Sequence, residues 1–531
     1  MFYEAYYNIE ARRTLIRNTE FGGFFMLELK DIHLEVNGEH LLSVDHLLIQ
    51  EYKTIGLIGR NGSGKTTLFN HMIENSDIYT DETIQLIPQI KDTDIKRSGG
   101  ETTQLYLNRT LNEDAGIMLL DEPTTHLDEQ HSKALVKKLQ HIDNIKIIAS
   151  HDREFLNRTV DEIWSIEDNS IKVYPGNYDK YKEMKEHSIK RQQDEYDKYV
   201  KVKKQLSNAI DKKKRQADGA AKVKDKSDSD VNVIGAKPYF NKKQKKLDQV
   251  AGGMKSRLEQ LEVKDKPIEE KEIKFHTQDM ESLGQKMIIR IEDEDIKRED
   301  KTILAGASLF VRAGEKISIT GANGSGKTSL LNHIHEKYKE SSLKIGYFHQ
   351  QLESLDKDKT IIENIMTASH YDETTVRTVL ARLNIKRDAV HKKINVISGG
   401  ERVKVQLAKI LMADIQVIML DEPTNFLDVH TIEALEGMLQ NHPATLILVS
   451  HDRIFRENIT DTNYNIEDGK LFSDQTAESL DDTGEALMVL ENKITEVLSR
   501  LSLDPTEALD AEFNRLLEEK RVLLDRRGKR R

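Results

Sequence analysis

At 531 residues the chain is longer than one hydrophobic core usually serves, so two or more domains are expected. It carries 80 Lys and Arg against 91 Asp and Glu, a formal net charge of −11, and its lack of cysteine excludes disulfides and cysteine-ligated metal sites. No run approaches the roughly 18 apolar residues that a membrane helix needs, so no membrane segment is predicted.

The first 25 residues have no counterpart later in the chain. The stretch FGGFFM at residues 21–26 is compatible with a coding sequence that holds a GGAGG ribosome-binding element just before a start codon. We therefore expect Met26 to be the natural start and residues 1–25 to be a non-native or disordered extension.

A phosphate-binding loop follows the short apolar run at residues 55–58. Residues 59–66, GRNGSGKT, match the P-loop pattern G-x-x-x-x-G-K-[ST], and residues 321–328, GANGSGKT, repeat it after another strand-like run. Glycines let backbone N–H groups approach phosphate oxygens, while the lysine neutralises the β- and γ-phosphates and the threonine ligates Mg²⁺. Two matches in the same context make coincidence negligible.

Three further motifs occur twice, each time 300 residues apart. SGGE stands at residues 98–101 and 398–401, LDEPT at 120–124 and 420–424, and SHDR at 150–153 and 450–453. The P-loop lysines, Lys65 and Lys327, are only 262 residues apart. The halves therefore share a layout, with 38 additional residues between P-loop and SGGE in the second half.

Each LDEPT motif places two carboxylates at the end of a buried apolar run. Asp121 is suited to hold Mg²⁺ through water and Glu122 to polarise an attacking water, and Asp421 and Glu422 repeat those roles. The glycines of SGGE predict the start of a helix, whose N–H groups can receive a γ-phosphate.

These motifs resemble those of the ATP-binding cassette (ABC) ATPases over nearly the whole chain outside its middle segment. The resemblance implies ATP and Mg²⁺ as cofactors and two ATP molecules sandwiched head to tail, with each SGGE motif serving the opposite cassette. It also implies switch histidines at His151 and His451 and Q-loop glutamines at Gln89 and Gln350, with Gln351 an alternative to Gln350.

The aromatic residue that often stacks on adenine in this family is missing upstream of both P-loops, from residues 36–42 and 297–303. The sequence therefore does not predict selectivity for adenine, and some tolerance of GTP is expected. The candidate site residues are Glu122, Glu422, His151 and His451 for catalysis; Gly59, Arg60, Asn61, Gly62, Ser63, Gly64, Lys65, Thr66, Thr67, Ser98, Gly99, Gly100, Glu101, Gly321, Ala322, Asn323, Gly324, Ser325, Gly326, Lys327, Thr328, Ser329, Ser398, Gly399, Gly400 and Glu401 for ATP; and Thr66, Gln89, Asp121, Thr328, Gln350 and Asp421 for magnesium.

The middle of the chain is strongly basic. Residues 201–257 hold 17 Lys and Arg against 6 Asp, a local charge of +11, which leaves −22 for the remainder. Two narrow apolar seams, Tyr199, Val202, Leu206 and Ile210 and then Leu247, Val250, Met254, Leu258 and Leu261, predict paired helices. We expect the first helix to run from about Lys185 to Arg215, and Asp218-Gly-Ala-Ala and residues 227–235 to break the pattern. A solvated helical surface is the plain alternative to a polyanion-binding arm.

Fused cassettes with such a linker, including GAKPYF at residues 235–240 and YPGNY at residues 174–178, closely resemble the ABC-F proteins. In that family the linker enters the ribosomal tRNA exit site and reaches towards the peptidyl-transferase centre, which implies large-subunit rRNA and P-site tRNA as partners. An ATPase subunit of a membrane transporter is the weaker interpretation, and a DNA-repair ATPase with zinc modules is excluded by the absence of cysteine.

Two features narrow the class. Eight residues separate Gln89 from Ser98, so the first cassette lacks the arm insertion of many housekeeping ABC-F factors, and residues 481–531 read as a helical extension with a basic end. That extension either contacts small-subunit RNA or packs on a cassette. The combination resembles antibiotic-resistance ABC-F proteins of the Vga and Sal type, which relieve ribosomes of pleuromutilin, lincosamide and streptogramin A drugs. A housekeeping translation factor is the alternative.

The predicted fold is therefore α/β: two tandem ABC-type P-loop domains joined by a long antiparallel helical hairpin, with a helical C-terminal extension. The expected bounds are an N-terminal extension at 1–25, cassettes at 26–180 and 264–480, the linker at 181–263 with its tip at about 226–235, and the extension at 481–531. In the tip, Val231, Val233 and Ile234 are expected to press on a base or displace a drug; the plain alternative is a solvated turn that only closes the hairpin. A cytoplasmic, ribosome-associated protein is expected.

Overall fold

The computed structural model of the protein describes most of both cassettes and of the linker. The described residues are 27–36, 38–49, 52–74, 78–80, 82–89, 115–125, 127–227, 236–264, 266, 273, 275, 286–298, 301–349, 355–425, 427–474, 513, 515–517 and 519–520. The predicted N-terminal extension, the first SGGE motif (98–101), Gln350 and Gln351 lie outside them. So does most of the predicted C-terminal extension, of which the described positions between 513 and 520 are helical.

The first cassette is built around a mixed sheet. Its elements are β1 (Leu27–Val36), β2 (Glu39–Ile49), β3 (Thr54–Gly59), α1 (Lys65–Glu74), β4 (Ile78–Tyr79), β5 (Ile84–Ile87), β6 (Ile117–Asp121), α2 (Glu129–Gln140), β7 (Ile145–Ala149), α3 (Arg153–Thr159), β8 (Glu162–Glu167) and β9 (Ser170–Pro175). The strand order is β4-β1-β2-β9-β8-β3-β7-β6-β5. Every residue of β3 is buried and the strand runs parallel to β7 and β8, as expected for a strand covered on both faces. The first P-loop therefore leaves the carboxyl end of β3 beside the ends of β6 and β7.

The second cassette repeats this arrangement. Its elements are β10 (Met287–Arg298), β11 (Lys301–Arg312), β12 (Lys316–Gly321), α6 (Lys327–Tyr338), β13 (Ile345–Phe348), α7 (Ile361–Met366), α8 (Glu373–Arg382), α9 (Gly399–Met412), β14 (Val417–Asp421), α10 (Val429–Gln440), β15 (Thr445–Val449), α11 (Arg453–Ile459), β16 (Thr462–Glu467) and β17 (Lys470–Ser473). The order β13-β14-β15-β12-β16-β17 has the same crossovers as β5-β6-β7-β3-β8 in the first cassette, while β10 and β11 pair separately. The repeat in the sequence therefore corresponds to a repeated strand order in the two cassettes.

The 38 additional residues of the second half coincide with a helical subdomain. It comprises α7, α8 and two 3₁₀ helices, Arg387–His391 and Ile394–Val396, and leads into α9. Side chains such as Ile365, Val376 and Leu380 are fully buried in a core shared with α9 and α10. This core supports the helix that begins with the second SGGE motif.

The linker forms a separate compact unit, residues 174–272. Its helices are α4 (Tyr178–Ser227) and α5 (Ala236–Glu259), which pack on each other. Because only residues 228–235, outside the described residues, connect them, the pair is an antiparallel hairpin. The predicted end of the first helix near Arg215 was wrong: α4 continues through Gly219, since one glycine costs a helix only ~1 kcal/mol and its neighbours favour helix. At ~1.5 Å per residue, α4 spans about 75 Å.

The apolar seam between these helices differs in part from the prediction. Ile210 and Ala251 are buried in it, whereas Val202 and Val250 are each 40% exposed. The seam is therefore narrower than the periodicity predicts, and most of the hairpin surface is polar. No helix among the described residues combines the length and apolarity needed to cross a bilayer.

Candidate active sites

The first P-loop presents an anion-binding surface formed by backbone and lysine. Lys65 is 8% exposed, and its Nζ donates to the carbonyl oxygens of Gly59 (2.9 Å) and Arg60 (3.3 Å). Burial lowers its pKa. The loop glycines Gly62 and Gly64 adopt φ of 78° and 100°, in the left-handed region where other residues are strained. The Oγ of Ser63 is buried and has no hydrogen-bond partner among the described residues, as expected of a group that awaits a phosphate.

The neighbouring threonine and aspartate form a small cluster of oxygen ligands. Thr66 Oγ1 donates to Asp121 Oδ2 at 2.7 Å, and in the second site Thr328 Oγ1 donates to Asp421 Oδ2 at the same distance. Mg²⁺ prefers hard oxygen ligands and usually takes only one or two from protein, with phosphate and water supplying the rest. No cluster of three or more His, Cys, Asp or Glu suited to a metal occurs in the described part of the chain. The residues fit a magnesium ion that is completed by a nucleotide.

Glu122 lies in a strained backbone conformation that aims its carboxylate at His151. Its φ is 49°, and the Ala149 carbonyl holds its N–H at 2.8 Å. Such a conformation costs about 1–3 kcal/mol for a residue other than glycine and persists only where its surroundings impose it. His151 N donates to Glu122 Oε2 (3.3 Å), and His151 Nε2 lies 3.1 Å from Glu122 Oε1.

Burial tunes both members of this pair towards their neutral forms. It raises the pKa of Glu122 to about 8 and lowers the pKa of His151 to about 3. A carboxylate with its pKa near neutrality is a better proton acceptor than an ordinary one. A neutral histidine can donate one hydrogen bond and accept another.

The second site repeats this geometry with one additional contact. Glu422 also has a φ of 49°, with its N–H held by the Val449 carbonyl at 2.8 Å. His451 N donates to Glu422 Oε2 at 3.1 Å, and His451 Nε2 lies 3.0 Å from Asn323 Oδ1 in the second P-loop. This histidine is thereby tied to its own P-loop.

Two aspartates that the sequence analysis did not single out join the cassettes. Asp428 caps α10, and its Oδ2 accepts from the Asn61 N–H of the first P-loop at 3.2 Å. Asp128 caps α2 and accepts from the backbone of Asn323 in the second P-loop. Each aspartate lies eight residues after the leucine of an LDEPT motif. This equivalent position in both halves is the sequence signal that could have identified them.

Among the described residues, a buried lysine pairs with Asp428 and none pairs with Asp128. Lys404 Nζ lies 3.5 Å from Asp428 Oδ2, and their side chains are 6% and 0% exposed. Burial alone would raise the pKa of Asp428, but Lys404, Thr431 and Asn61 outweigh it and hold the pKa at about 2. Lys404 belongs to α9, so the helix of the second SGGE motif is connected through Asp428 to the first P-loop.

The second SGGE motif begins α9 as predicted. Ser398 Oγ accepts from the N–H of Glu401 (3.3 Å), and Glu401 Oε2 accepts from the N–H of Ser398 (2.9 Å), which is a capping box. Glu401 is thus occupied as a cap. Gly399 needs no unusual φ, and a Cβ placed there would meet no atom within 4 Å.

A cavity of about 1060 Å³ brings the two P-loops and their carboxylates together. The predicted residues lining it are Asn61, Gly62, Gly64, Lys65, Thr66, Thr67, Gln89, Asp121, Glu122, His151, Asn323, Gly324, Gly326, Lys327, Thr328, Ser329, Ser398, Gly400, Asp421, Glu422 and His451. Ser398 and Gly400 of the second cassette therefore share one cavity with the first P-loop. Upstream of the P-loops, the described residues that line this cavity are aliphatic or basic: Val36 and Leu41 in one cassette correspond to Arg298 and Ile303 in the other.

The sequence is similar to known proteins along nearly its whole length. A family model described as ABC transporter matches residues 304–425, and a second model of that description matches residues 164–229. The ribosome protection protein VmlR of Bacillus subtilis strain 168 is 30% identical over 540 residues, covering 92% of this chain and 97% of VmlR. ABC transporter F family member 5 of Arabidopsis thaliana is 31% identical over 70% of this chain and 52% of its own length. The chain belongs to the ABC-F family of ATPases.

Two further comparisons match the chain over most of its length. The erythromycin resistance ATP-binding protein MsrA of Staphylococcus epidermidis is 29% identical over 83% of this chain and 98% of its own. Among solved structures, an RNase-L inhibitor aligns with a TM-score of 0.54 and 15% identity over 83% of this chain and 90% of its own. That likeness shows the fold, two α/β ABC cassettes in one chain.

This ABC-F chain has the groups that phosphoanhydride hydrolysis needs. Backbone N–H groups and Lys65 or Lys327 would bind phosphate, Thr66 with Asp121 or Thr328 with Asp421 would hold magnesium, and Glu122 or Glu422 would orient water. A bound magnesium ion would neutralise charge on the transferred phosphoryl group. Catalysis in such sites depends mainly on positioning and electrostatic stabilisation. The contacts between each histidine and its glutamate would contribute to positioning.

Proposed function

We propose that this ABC-F ATPase binds the ribosome and protects it from antibiotics that act at the peptidyl-transferase centre. The observation that carries the proposal is its similarity to VmlR, named a ribosome protection protein, over 92% of the chain, linker included. MsrA, named for erythromycin resistance, is similar over 83% of the chain.

The charge of the hairpin supports an RNA partner. Lys203, Lys204, Lys212 and Lys214 on α4 are all exposed, and the hairpin carries its positive charge on an otherwise acidic protein. A basic arm gains affinity for RNA by releasing counterions, while acidic cassettes limit indiscriminate RNA binding. The linker would enter through the tRNA exit site and contact large-subunit rRNA and P-site tRNA.

Pleuromutilin, lincosamide and streptogramin A drugs are the proposed targets, as for ABC-F proteins of the Vga and Sal type. The long hairpin and the short first arm region support that subtype. The second candidate is a housekeeping translation factor on the same scaffold.

The bounds predicted from the sequence remain the proposed domain limits, with cassettes at 26–180 and 264–480. The linker proposed at 181–263 lies inside the unit formed by residues 174–272. We also propose that both sites bind ATP with Mg²⁺ and that ATP hydrolysis drives release from the ribosome. Residues 481–531 would contact small-subunit RNA, and the protein would be cytoplasmic.

Expression in a drug-susceptible host tests the function. We expect the minimal inhibitory concentrations of pleuromutilin, lincosamide and streptogramin A drugs to rise at least fourfold, with erythromycin as a further drug in the panel. A host that grows better without drug but shows unchanged inhibitory concentrations for every drug would favour the housekeeping factor instead.

A pair of charge-reversal variants tests the role of the basic hairpin. The variant K203E/K204E should lose protection and ribosome binding, because two cations of α4 become anions. The matched variant K137E/K138E changes two exposed lysines of α2 in the first cassette and should retain both. Equal loss in the two variants would show that overall charge, and not the hairpin, determines binding.

A further inference from the structure

One arginine is completely buried where the two cassettes meet. Arg153, the first residue of α3, is 1% exposed. Its Nη1 lies 2.9 Å from Glu436 Oε2 and its Nη2 3.4 Å from Asp452 Oδ2, and both carboxylates belong to the second cassette. The guanidinium donates a hydrogen bond to Asp452 and forms an ion pair with Glu436, so one buried cation lies between two carboxylates of the other cassette.

The bridge connects segments that also form the two catalytic sites. Arg153 is two residues from His151, which contacts Glu122, and Asp452 directly follows His451, which contacts Glu422. Glu436 lies on α10, the helix whose cap Asp428 accepts from the first P-loop. It is fixed there by Asn458 Nδ2 of α11, at 2.6 Å.

The chain does not repeat this bridge on the other side. Arg453, 300 residues later, is 45% exposed, and it pairs with Glu457 on its own helix at 2.6 Å and with Glu154 at 3.7 Å. The position that corresponds to Glu436 in the first cassette is Val136, which has no charge to offer. The bridge is therefore one-sided, although the two sites around it have similar geometry.

We propose that Arg153 is a positioning residue that couples the two ATP sites, by holding the His151 segment of the first cassette against α10 and the His451 segment of the second. Arg453 does not share this role. The inference rests on the ATPase activity of the family and is independent of the ribosomal partner.

The physical reason is the cost of separating buried charges. Removing one partner of a buried ion pair is strongly destabilising because it leaves the other charge buried and uncompensated. Without the guanidinium, Glu436 and Asp452 would repel each other and draw water into the interface. Movement of one histidine segment is thus transmitted to the other as long as Arg153 is in place.

The test is Mg-ATP binding to the full-length chain in the E122Q/E422Q background, which prevents turnover during the measurement. We expect a Hill coefficient above 1 in this background. R153M should lower the Hill coefficient to about 1 and raise the half-saturation concentration of ATP at least tenfold. R453M should change the half-saturation concentration less than twofold. A Hill coefficient reports coupling between sites, which loss of fold stability alone does not change.

The partner variant completes a double-mutant cycle. E436V, which copies the residue at Val136, should weaken ATP binding as R153M does, and the double variant R153M/E436V should be affected less than the product of the two single effects. E436Q keeps the shape of the side chain and serves if E436V does not fold. The proposal is overturned if the background chain binds ATP without cooperativity, if R153M and R453M behave alike, or if the effects of R153M and the Glu436 variant multiply.

Discussion

Replacing Lys404 by Met tests the connection between α9 and the first P-loop. Lys404 lies 3.5 Å from the fully buried Asp428, which keeps donors from Thr431 N at 2.9 Å and Asn61 N at 3.2 Å. Breaking a buried ion pair costs about 3–5 kcal/mol. The 3.5 Å separation and the remaining donors place this case below that range, at about 2–3 kcal/mol.

Calorimetric unfolding of the full-length chain at pH 7 measures this cost. For a domain of about 150–250 residues, 1 kcal/mol corresponds to roughly 2–4 °C, so the K404M transition should fall by about 5–10 °C. K404R should retain most of the stability. K409M, on the same helix but outside the Asp428 pair, is the matched control. A shift below 1 °C, or one equal to that of K409M, would refute the reasoning.

The same pair predicts a pH dependence. Because the pKa of Asp428 is depressed in the folded chain, its stabilising contribution is complete above about pH 4 and is lost as the pH falls towards 2. The difference in unfolding temperature between the native chain and K404M should therefore shrink over that interval. A constant difference would assign the effect of Lys404 to packing.

Two further predictions concern a histidine and a glycine. Burial lowers the pKa of His442 to about 4, and its ring accepts a hydrogen bond from Ala444 N, so the folded chain holds this histidine neutral. The free energy of unfolding should therefore fall as the pH is lowered from 6.5 to 4 in acid titrations, and H442Q should reduce that fall. In the second P-loop, G326A should weaken ATP binding at least tenfold more than G324A, measured by calorimetric titration. Both glycines have positive φ, but only at Gly326 would a Cβ lie 2.5 Å from Ile303, so equal effects would contradict the steric argument.

Local patterns predicted the parts of the molecule that local chemistry determines. The P-loops, the paired carboxylates and the start of α9 follow from short motifs whose glycines, caps and apolar strands act within about ten residues. The α/β fold with two repeated cassettes followed from the spacing of those motifs, and the sheet orders agree with it.

Features that depend on packing between distant segments were not predictable in this way. Arg153 meets Glu436 across 283 residues, and nothing in the SHDR motif distinguishes it from the exposed Arg453. Likewise, the interruption expected at Asp218-Gly-Ala-Ala does not occur in α4, because a helix tolerates one glycine at a cost of about 1 kcal/mol. Val202 fits the predicted spacing of the apolar seam, but its side chain is 40% exposed.

The full-length chain is expected to bind ribosomes only when ATP is bound. The measurement is co-sedimentation of the E122Q/E422Q variant with bacterial ribosomes, with Mg-ATP and without nucleotide. Gln retains the shape of Glu but cannot accept a proton, so the variant should bind ATP, hydrolyse it at least a hundredfold more slowly and sediment with ribosomes only when ATP is present. Normal ATP turnover by the variant, or sedimentation that is absent or independent of ATP, would contradict the account.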